Sequence, residues 1–425
     1  MKTPSEALDF VFSFFEFGRT LQRDCQDSQV RHPELVIDLA RRRGIVPARH
    51  QIALVTGSKG KGSAARLLAW GLQESGYKTG LLVSPEEIHH FDRIRINNCP
   101  IAEERFAEIV SDFSAELLRL QATAPDRYYI PPTAIFSLVA LQWWKESAVD
   151  FCIIEGGRGA RFDEIGQFDA QVGIVTTVLP EHLDKLGPTE ESVAVDKLFL
   201  VDKCQYLVCG PIAARWADVL LNSEQRSRIL PKTTPPALEG GEENWAIQSE
   251  RLAGIAASKL TRWPISIRSW RLPSFERTTM LRLPDGSDCK CLVLLNGAVV
   301  PECLQAMELA PLAIAGSAVV YGLSDTKDAE GIVRRMQSFP GIRHFVVPLE
   351  SRVNHISSEW VFGCDFLFKL PSLDVVNGAD ESLRKEVFNL LRSSSAVLFV
   401  GVQTFLRSVR TMLDIPLSGP GPPRQ

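Results

Sequence analysis

The sequence lacks a long apolar run, an excess of basic residues and a signal-peptide pattern in its first residues. No apolar stretch approaches the roughly 20 residues that a membrane-spanning helix needs. The first ten residues, MKTPSEALDF, do not show the basic-then-apolar layout of a signal peptide. The formal net charge is −4, whereas a nucleic-acid-binding domain is usually basic. We therefore expect neither a membrane nor a nucleic acid as a partner.

A cysteine framework is also missing. The nine cysteines form no CxxC pair, follow no regular spacing and are odd in number. A disulfide-stabilised secreted domain would show a regular set of paired cysteines, and a structural zinc site would show CxxC pairs. The pattern instead predicts buried, reduced thiols and a cytoplasmic protein.

What is present is the composition of an ordinary globular protein, with 45% hydrophobic and 23% charged residues. The 425 residues are enough for two or three domains. After a helical first fifty residues, short apolar runs alternate with amphipathic stretches, and this alternation predicts an α/β fold with a parallel sheet covered on both faces. The predicted strands of this region are 52–56, 80–83, 151–155 and 171–178, and the predicted helices are 63–75, 133–146, 189–200 and 248–260.

A second alternating series follows a segment rich in Trp, Pro and Arg at 262–273, which is the predicted domain boundary. An Asp-Gly turn signal at 285–286 indicates a hairpin near the start of this second region. We predict a first domain of about residues 1–265, a smaller Rossmann-like α/β domain of about 266–415 and a disordered tail at 416–425. Strands of the second domain are predicted at 291–295, 318–322, 345–347 and 396–400, with helices at 329–338 and 381–393.

A glycine-rich segment between the predicted strand 52–56 and the predicted helix 63–75 is the most informative part of the sequence. Its glycines allow a tight turn whose backbone N–H groups point at phosphate oxygens, and the helix N-terminus behind it adds partial positive charge. Lys61 can reach the outer phosphates, and Ser63 can approach the nucleotide or its Mg²⁺. The predicted nucleotide-binding residues are Gly57, Ser58, Lys59, Gly60, Lys61, Gly62 and Ser63.

The spacing of this segment departs from the common GxxxxGK[ST] pattern of phosphate loops. Val55 stands where that pattern has glycine, and Gly62 separates Lys61 from Ser63. A surface turn before a helix is the alternative interpretation. Strand, turn and helix nevertheless follow in the order that a phosphate loop requires, so the segment predicts nucleotide binding without specifying a reaction.

The same segment resembles the GTNGKGS loop of the folylpolyglutamate synthase branch of the Mur ligase superfamily. Further similarities follow in the family's order and cover roughly residues 5–350. The matching segments are 84–85 with 91–97 (SP…FDRIRIN, against SPHL…ERIRI), 155–163 (EGGRGARFD, against EVGLGGRLD), 181–197 (EH…LGPT…K, against DH…LGDT…K), 296–301 (NGAVVP, against DGAHNP) and 322–328 (GLSDTKD, against G…DKD).

The resemblance implies an ATP-dependent ligase that activates a carboxylate as an acyl phosphate, joins it to an amino-acid amine and releases ADP and phosphate. It implies Mg²⁺ beside ATP, because the transferring phosphoryl group needs its charge neutralised. It also implies an active site between two domains, the second of which closes over the nucleotide. By resemblance the catalytic residues are Lys61, Glu155, His182 and Lys197, the metal ligands are Ser63, Ser84, Glu155 and His182, and Asn296 contacts the nucleotide.

The residues themselves support part of this assignment and leave alternatives open. Glu155 and Ser84 each follow a predicted strand, at the edge where parallel sheets bind ligands. Glu155 could instead be a solvated strand-end carboxylate, and Ser84 a turn or helix-capping serine. His182 could be structural. Lys197, which matches a lysine that family members carbamylate, could lie on a solvated helix face, and the loop with Arg158, Arg161 and Asp163 could be an ordinary surface loop.

Several positions depart from the family's pattern on the substrate and hinge side. Glu86 replaces a histidine, Glu181 replaces the aspartate before His182, and Asn296 with Val299-Val300 replaces Asp and His-Asn. We therefore predict a folylpolyglutamate synthase-like ligase acting on a small-molecule carboxylate and an amino acid. The alternatives are a ligase with a non-folate substrate, a non-catalytic ATP-binding partner of another protein, and a phosphate-loop kinase or nucleotide hydrolase.

Overall fold

Two sheets, one in each half of the chain, organise the fold. The computed structural model describes residues 3–125, 127–231, 245–263, 265, 281–283, 286–297, 301, 304, 309–323, 328–350, 366–374 and 378–415. The described residues up to 265 form a first compact unit, and those from 281 to 415 form a second. The predicted boundary segment 262–273 lies mostly outside the described residues, and the predicted tail 416–425 lies wholly outside them. The limits of the two domains therefore stay predictions.

The first unit is built on a mostly parallel sheet of eight strands. The strands are β1 (Ile52–Thr56), β2 (Thr79–Leu82), β3 (Ile94–Ile96), β4 (Cys99–Pro100), β5 (Phe151–Glu155), β6 (Ala170–Val175), β7 (Cys204–Cys209) and β8 (Ile229–Leu230). Their order across the sheet is β4-β3-β2-β5-β1-β6-β7-β8. β1 pairs in parallel with β5 on one side and with β6 on the other, so its carboxyl end lies at the switch point where open α/β sheets bind ligands.

Helices pack against this sheet, and buried residues from several of them form a hydrophobic cluster with its strands. All five residues of β1 and of β5 are buried, which explains why each strand is apolar up to its last residue, Thr56 or Glu155. The first helix begins at a capping box in which Thr3 and Glu6 satisfy each other's backbone N–H groups. The helices are α1 (Pro4–Asp24), α2 (Asp27–Val30), α3 (Pro33–Arg42), α4 (Lys61–Glu74), α5 (Glu103–Thr123), α6 (Pro132–Glu146), α7 (Leu183–Leu186), α8 (Glu190–Leu198), α9 (Pro211–Leu220), α10 (Ser223–Ser227) and α11 (Trp245–Thr261).

The predicted α/β class is confirmed, with two local differences. β3 and β4 run antiparallel at one edge of the sheet, which was not predicted, because Asn97 and Asn98 adopt positive φ and form a tight hairpin turn. The predicted strand 171–178 ends at Val175, because Thr176 and Thr177 leave the sheet and contact the glycine-rich loop.

The second unit is a smaller parallel sheet with its own hydrophobic core. Two short antiparallel strands, β9 (Leu281–Arg282) and β10 (Asp288–Cys289), lie before and after the predicted turn. Residues 284–285 of that turn lie outside the described part. The five-stranded sheet has the order β11-β17-β12-β13-β15, and all its described pairings are parallel. Its strands are β11 (Leu292–Asn296), β12 (Ala318–Gly322), β13 (Arg343–Val346), β15 (Leu367–Lys369) and β17 (Ala396–Gly401). A separate parallel pair is formed by β14 (Leu349–Glu350) and β16 (Leu373–Asp374), and the helices are α12 (Ala329–Gln337), α13 (Glu381–Arg392) and α14 (Gln403–Met412).

Across the described part of the chain, no helix combines the length and the apolar character needed to cross a lipid bilayer.

Candidate active site

The glycine-rich loop connects the carboxyl end of β1 to the start of α4. Gly57 has φ +139° and Gly60 has φ +84°, which are conformations that residues with a Cβ rarely adopt. A Cβ on Gly57 would lie 1.9 Å from the hydroxyl oxygen of Thr176. Only glycine therefore fits at position 57, because both the backbone angle and the packing exclude a side chain.

Residues that follow β6 hold this loop in place. The Thr176 hydroxyl donates to the carbonyl of Lys59 at 2.6 Å, and the Ser58 backbone N–H donates to the carbonyl of Thr177 at 2.9 Å. The Ser58 hydroxyl accepts from the backbone N–H of Leu179 at 2.9 Å. Thr176 and Thr177 are not among the predicted site residues, because their only signal in the sequence is a pair of hydroxyl residues directly after an apolar run.

Lys61 begins α4 and folds back over the loop, where its Nζ donates to the Gly57 carbonyl at 2.9 Å. Its charge acts on two buried carboxylates, Glu155 and Glu181, and it lowers the pKa of each. The predicted phosphate lysine therefore lies among groups from three strand ends. Ser63 follows it in the first turn of α4.

Glu155 and Ser84 meet beside this helix end. The strand register places Glu155 opposite Val55 at the end of β1, and the Ser84 backbone N–H donates to Glu155 Oε2 at 3.2 Å. A Cβ on Gly62 would lie 3.4 Å from the same carboxylate oxygen. Glu155 is only 6% exposed, so the alternative of a solvated strand-end carboxylate is wrong. Burial raises its pKa, and this outweighs the opposite effect of the Lys61 and Arg66 charges.

Glu181 and Lys197 form a buried ion pair on the other side of the loop. Lys197 Nζ lies 3.0 Å from Glu181 Oε1, and the two side chains are 1% and 7% exposed. Burial opposes ionisation of Glu181, but Lys197, Lys61 and His182 outweigh it and lower the pKa of Glu181 to about 2. Burial lowers the pKa of Lys197, and Lys61 adds to this effect against the attraction of Glu181. A solvated helix face for Lys197 is therefore wrong.

His182 is more exposed than Glu155, Glu181 and Lys197. Its φ of +50° is left-handed, and its side chain is 32% exposed. Its Nε2 lies 3.9 Å from Glu181 Oε2, so the ring is a neighbour of the ion pair. Asn296, the predicted nucleotide contact of the second domain, is buried at the end of β11 in the second unit.

The donors around Lys61 fit a magnesium ion held partly by a nucleotide. Among the described residues no group of three or more His, Cys, Asp and Glu side chains could hold a metal ion by itself. Mg²⁺ usually takes one or two carboxylates, keeps several waters and completes its shell with phosphate oxygens. Glu155 supplies the carboxylate of such a partial set, with Ser84 bonded to it through its backbone N–H and Ser63 in the first turn of α4. The residues present therefore fit Mg²⁺ bound together with a nucleotide.

A small open cavity adjoins Ser84 and Glu155. It lies between the ends of β2 and β5 and the start of α6, and its wall combines apolar surface with hydroxyls and carboxylates. The sequence analysis did not predict it. Its lining residues are Leu82, Val83, Ser84, Arg93, Thr133, Phe136, Ser137, Glu155, Gly157, Asp163, Glu164 and Ile165.

The far wall of this cavity contains a buried charge cluster. Arg31 contacts Asp163 at 3.3 Å and Glu164 at 3.2 Å, and Glu164 also accepts from the Thr133 hydroxyl at 3.1 Å. Burial, reinforced by the Asp163 carboxylate, raises the pKa of Glu164 to about 7 against the effect of Arg31. Arg158 pairs instead with Asp27, to which its Nε donates at 2.8 Å. Asp163 is therefore part of the cavity wall, and the alternative interpretation of it as a residue of an ordinary surface loop is wrong.

Comparison with known proteins confirms the predicted resemblance at low identity. No protein-family profile matches the chain. The dihydrofolate synthase/folylpolyglutamate synthase of Bacillus subtilis (strain 168) is 32% identical over 150 residues, which are 35% of this chain and 34% of that protein. The protein of the same description from Escherichia coli (strain K12) is 30% identical over 197 residues, 46% of this chain and 44% of that protein. The chain thus matches less than half the length of these curated relatives.

Solved structures of the same group share the fold over nearly the whole chain. E. coli FolC in complex with DHPP and ADP has a TM-score of 0.68 at 19% identity, covering 94% of this chain and 97% of that one. The bifunctional folylpolyglutamate synthase/dihydrofolate synthase from Yersinia pestis, complexed with AMPPNP and Mn, has a TM-score of 0.67 at 19% identity, with coverages of 91% and 94%. At this identity the likeness shows the fold alone.

Proposed function

We propose that this chain is an ATP-dependent ligase that joins a small-molecule carboxylate to an amino-acid amine. The observation that carries the proposal is the meeting of Lys61, Glu155 and Ser84 at the carboxyl edge of the sheet, beside a small open cavity. A nucleotide hydrolase needs no opening at that position. A ligase needs one, because its acid substrate must approach the terminal phosphate.

In the proposed reaction, a carboxylate oxygen of the acid attacks the γ-phosphorus of ATP, and ADP leaves. The resulting acyl phosphate is attacked by the amine, which forms the amide, and inorganic phosphate leaves. Lys61 neutralises charge on the transferring phosphoryl group. Bound Mg²⁺ would supply further charge neutralisation, held by Glu155 with Ser84 and Ser63. The loop N–H groups from Gly57 to Gly62 bind the phosphates.

The second cluster has a distinct proposed role. His182 is a candidate ligand for a further metal ion, and the Glu181–Lys197 pair lies directly behind it. Asn296 is proposed to contact the nucleotide from the second unit. Its amide can donate and accept hydrogen bonds but cannot replace the charge of the aspartate that the family has there.

The relatives suggest the substrate class. Their names describe dihydrofolate and folylpolyglutamate synthesis, and the solved neighbours were crystallised with DHPP and ADP or with AMPPNP and Mn. We propose a folylpolyglutamate synthase-like reaction in the cytoplasm, which agrees with the buried free cysteines. A non-folate acid is the alternative, and the cavity wall of Asp163 and Glu164, with Arg31 paired behind it, is the feature that favours testing it.

A second candidate function is nucleotide binding without turnover, as a partner of another protein. The specific observation in its favour is Asn296, which lacks the charge of the family's aspartate. Val299-Val300, which also depart from the family pattern, lie outside the described residues.

The test is ADP release from Mg-ATP with a panel of carboxylates that includes dihydropteroate and folates, each with L-glutamate and with other amino acids. The ligase predicts release that requires both an acid and an amine and that stops when either is omitted. Release without an amine would indicate a hydrolase. ATP binding with no release under any pair would favour the non-catalytic partner.

A further inference from the structure

A network of buried charges lies behind the Ser84 loop and takes no part in the proposed chemistry. At its centre is Asp92, which is fully buried. Its carboxylate accepts backbone N–H bonds from Glu87 at 3.0 Å, Ile88 at 2.7 Å and His89 at 2.8 Å. The loop from 84 to 92 is thus wrapped around one carboxylate.

Two arginines connect this loop to the rest of the unit. Arg95, on β3, contacts Glu87 at 3.1 Å and Asp92 at 3.3 Å and is itself completely buried. Arg66 approaches from α4, and its Nε pairs with the same Glu87 Oε1. Glu87 therefore joins β3 on one side to the helix that carries the phosphate loop on the other.

Arg66 also touches the phosphate loop directly. A Cβ on Gly62 would lie 2.4 Å from Arg66 Nη1 and 3.4 Å from Glu155 Oε2, so the guanidinium and the Glu155 carboxylate flank the same glycine. Burial opposes the charge of Arg66, but Glu87, Glu155 and Asp92 outweigh it and raise its pKa. The side chain is therefore a permanent cation between the Ser84 loop and Glu155.

We propose that Arg66 is a positioning residue: its pair with Glu87 fixes the Ser84 loop against α4 and so sets the contact between Ser84 and Glu155. The inference rests on the proposed function, because it assigns Arg66 to the metal and phosphate site described there. Arg66 does not touch the reacting atoms. It acts through Glu87, as residues behind a ligand orient that ligand and commonly change metal affinity when they are replaced.

The experiment measures Mn²⁺ affinity in the presence of the non-hydrolysable analogue AMPPNP, by the electron paramagnetic resonance signal of free Mn²⁺. The full chain is compared with Arg66→Met, Arg66→Lys, Glu87→Gln and the double variant Arg66→Met/Glu87→Gln. Arg105→Met is the matched control, because Arg105 forms an exposed pair with Glu108 on the same unit. Binding of AMPPNP in EDTA is measured for each variant in parallel.

We expect Arg66→Met and Glu87→Gln each to weaken Mn²⁺ binding by about 10-fold, while AMPPNP binding in EDTA changes by less than about 2-fold. The double variant should lose less than the sum of the two single losses, because both changes break the Arg66–Glu87 pair. Arg66→Lys should recover part of the affinity. If Arg66→Met fails to fold, the isosteric Glu87→Gln carries the test.

Two results overturn the inference. One is Mn²⁺ affinity in Glu87→Gln that matches the Arg105→Met control, and the other is a double variant in which the two losses add. Failure of the unaltered chain to bind Mn²⁺ with AMPPNP would be a different result. It would overturn the proposed metal site, and the inference with it.

Discussion

Replacing Glu181 with glutamine should destabilise the first unit by an amount that the structure allows us to estimate. The change keeps the size of the side chain and removes the charge that pairs with Lys197. A pKa lowered from 4.5 to about 2 corresponds to about 3 kcal/mol of stabilisation of the ionised carboxylate. Removing one partner of a buried ion pair typically costs about 3–5 kcal/mol, which agrees. We expect a loss of about 3 kcal/mol in the free energy of unfolding at pH 7.

The assay is urea denaturation followed by tryptophan fluorescence. This signal reports mainly on the first unit, because Trp360 is the only one of the eight tryptophans in the sequence range of the second. Glu108→Gln is the control, since the Arg105–Glu108 pair is exposed and should contribute less than about 1 kcal/mol. Glu181→Gln/Lys197→Met should recover most of the loss, because no uncompensated charge is left buried.

The pH dependence gives a second check on the same prediction. Because the folded-state pKa of Glu181 is lowered, its stabilising contribution is complete above about pH 4.5 and is lost as the pH falls through about 2. The difference between the unaltered chain and Glu181→Gln should shrink over that window. A loss below about 1 kcal/mol at pH 7, or a difference that does not change between pH 7 and pH 3, would refute the ion-pair argument.

Three further predictions concern the phosphate and metal sites. Lys61→Ala should lower ADP release at least about 100-fold with an unchanged circular dichroism spectrum, and full activity would refute the phosphate-loop assignment. Glu155→Gln should abolish the metal stimulation of ADP release but keep ATP binding in EDTA, and retained stimulation would remove Glu155 from the metal site. Gly57→Ala should destabilise the unit by more than about 2 kcal/mol in thermal unfolding, because its Cβ would clash with Thr176. Gly76→Ala is its control, since Gly76 has φ +91° with nothing within 4 Å, and equal losses at the two positions would contradict the clash.

Much of the fold could be predicted because its strands are buried on both faces. The strands at 52–56 and 151–155 are apolar up to a last polar residue and are followed by glycine, and their observed bounds are those predicted. The edge hairpin of β3 and β4 was missed, because its residues are few and its turn depends on Asn97 and Asn98 adopting positive φ. The strand end at Val175 was missed for a related reason: Thr176 and Thr177 suit a strand by propensity but contact the loop instead.

The residues of the candidate site likewise fall into those that the local sequence predicts and those that it does not. Lys61 and Glu155 could be proposed from local sequence, because a loop after a strand and a carboxylate at a strand end carry their own signal. Arg66, Glu87 and the cavity wall could not, because each depends on a partner distant in the sequence. An arginine on an amphipathic helix has the same local appearance whether it is solvated or pairs with a buried glutamate from another segment.

The link between Arg31 and Glu164 has a consequence for transplanting this site. The two residues are 133 positions apart in the sequence, and β1, α4 and the glycine-rich loop lie between them. Thr176 and Lys197 come later still, yet they contact the loop and its neighbouring carboxylate. A graft of residues 52–74 onto another sheet would therefore carry the motif without its supports or its cavity. A transplanted site would therefore need the whole first unit.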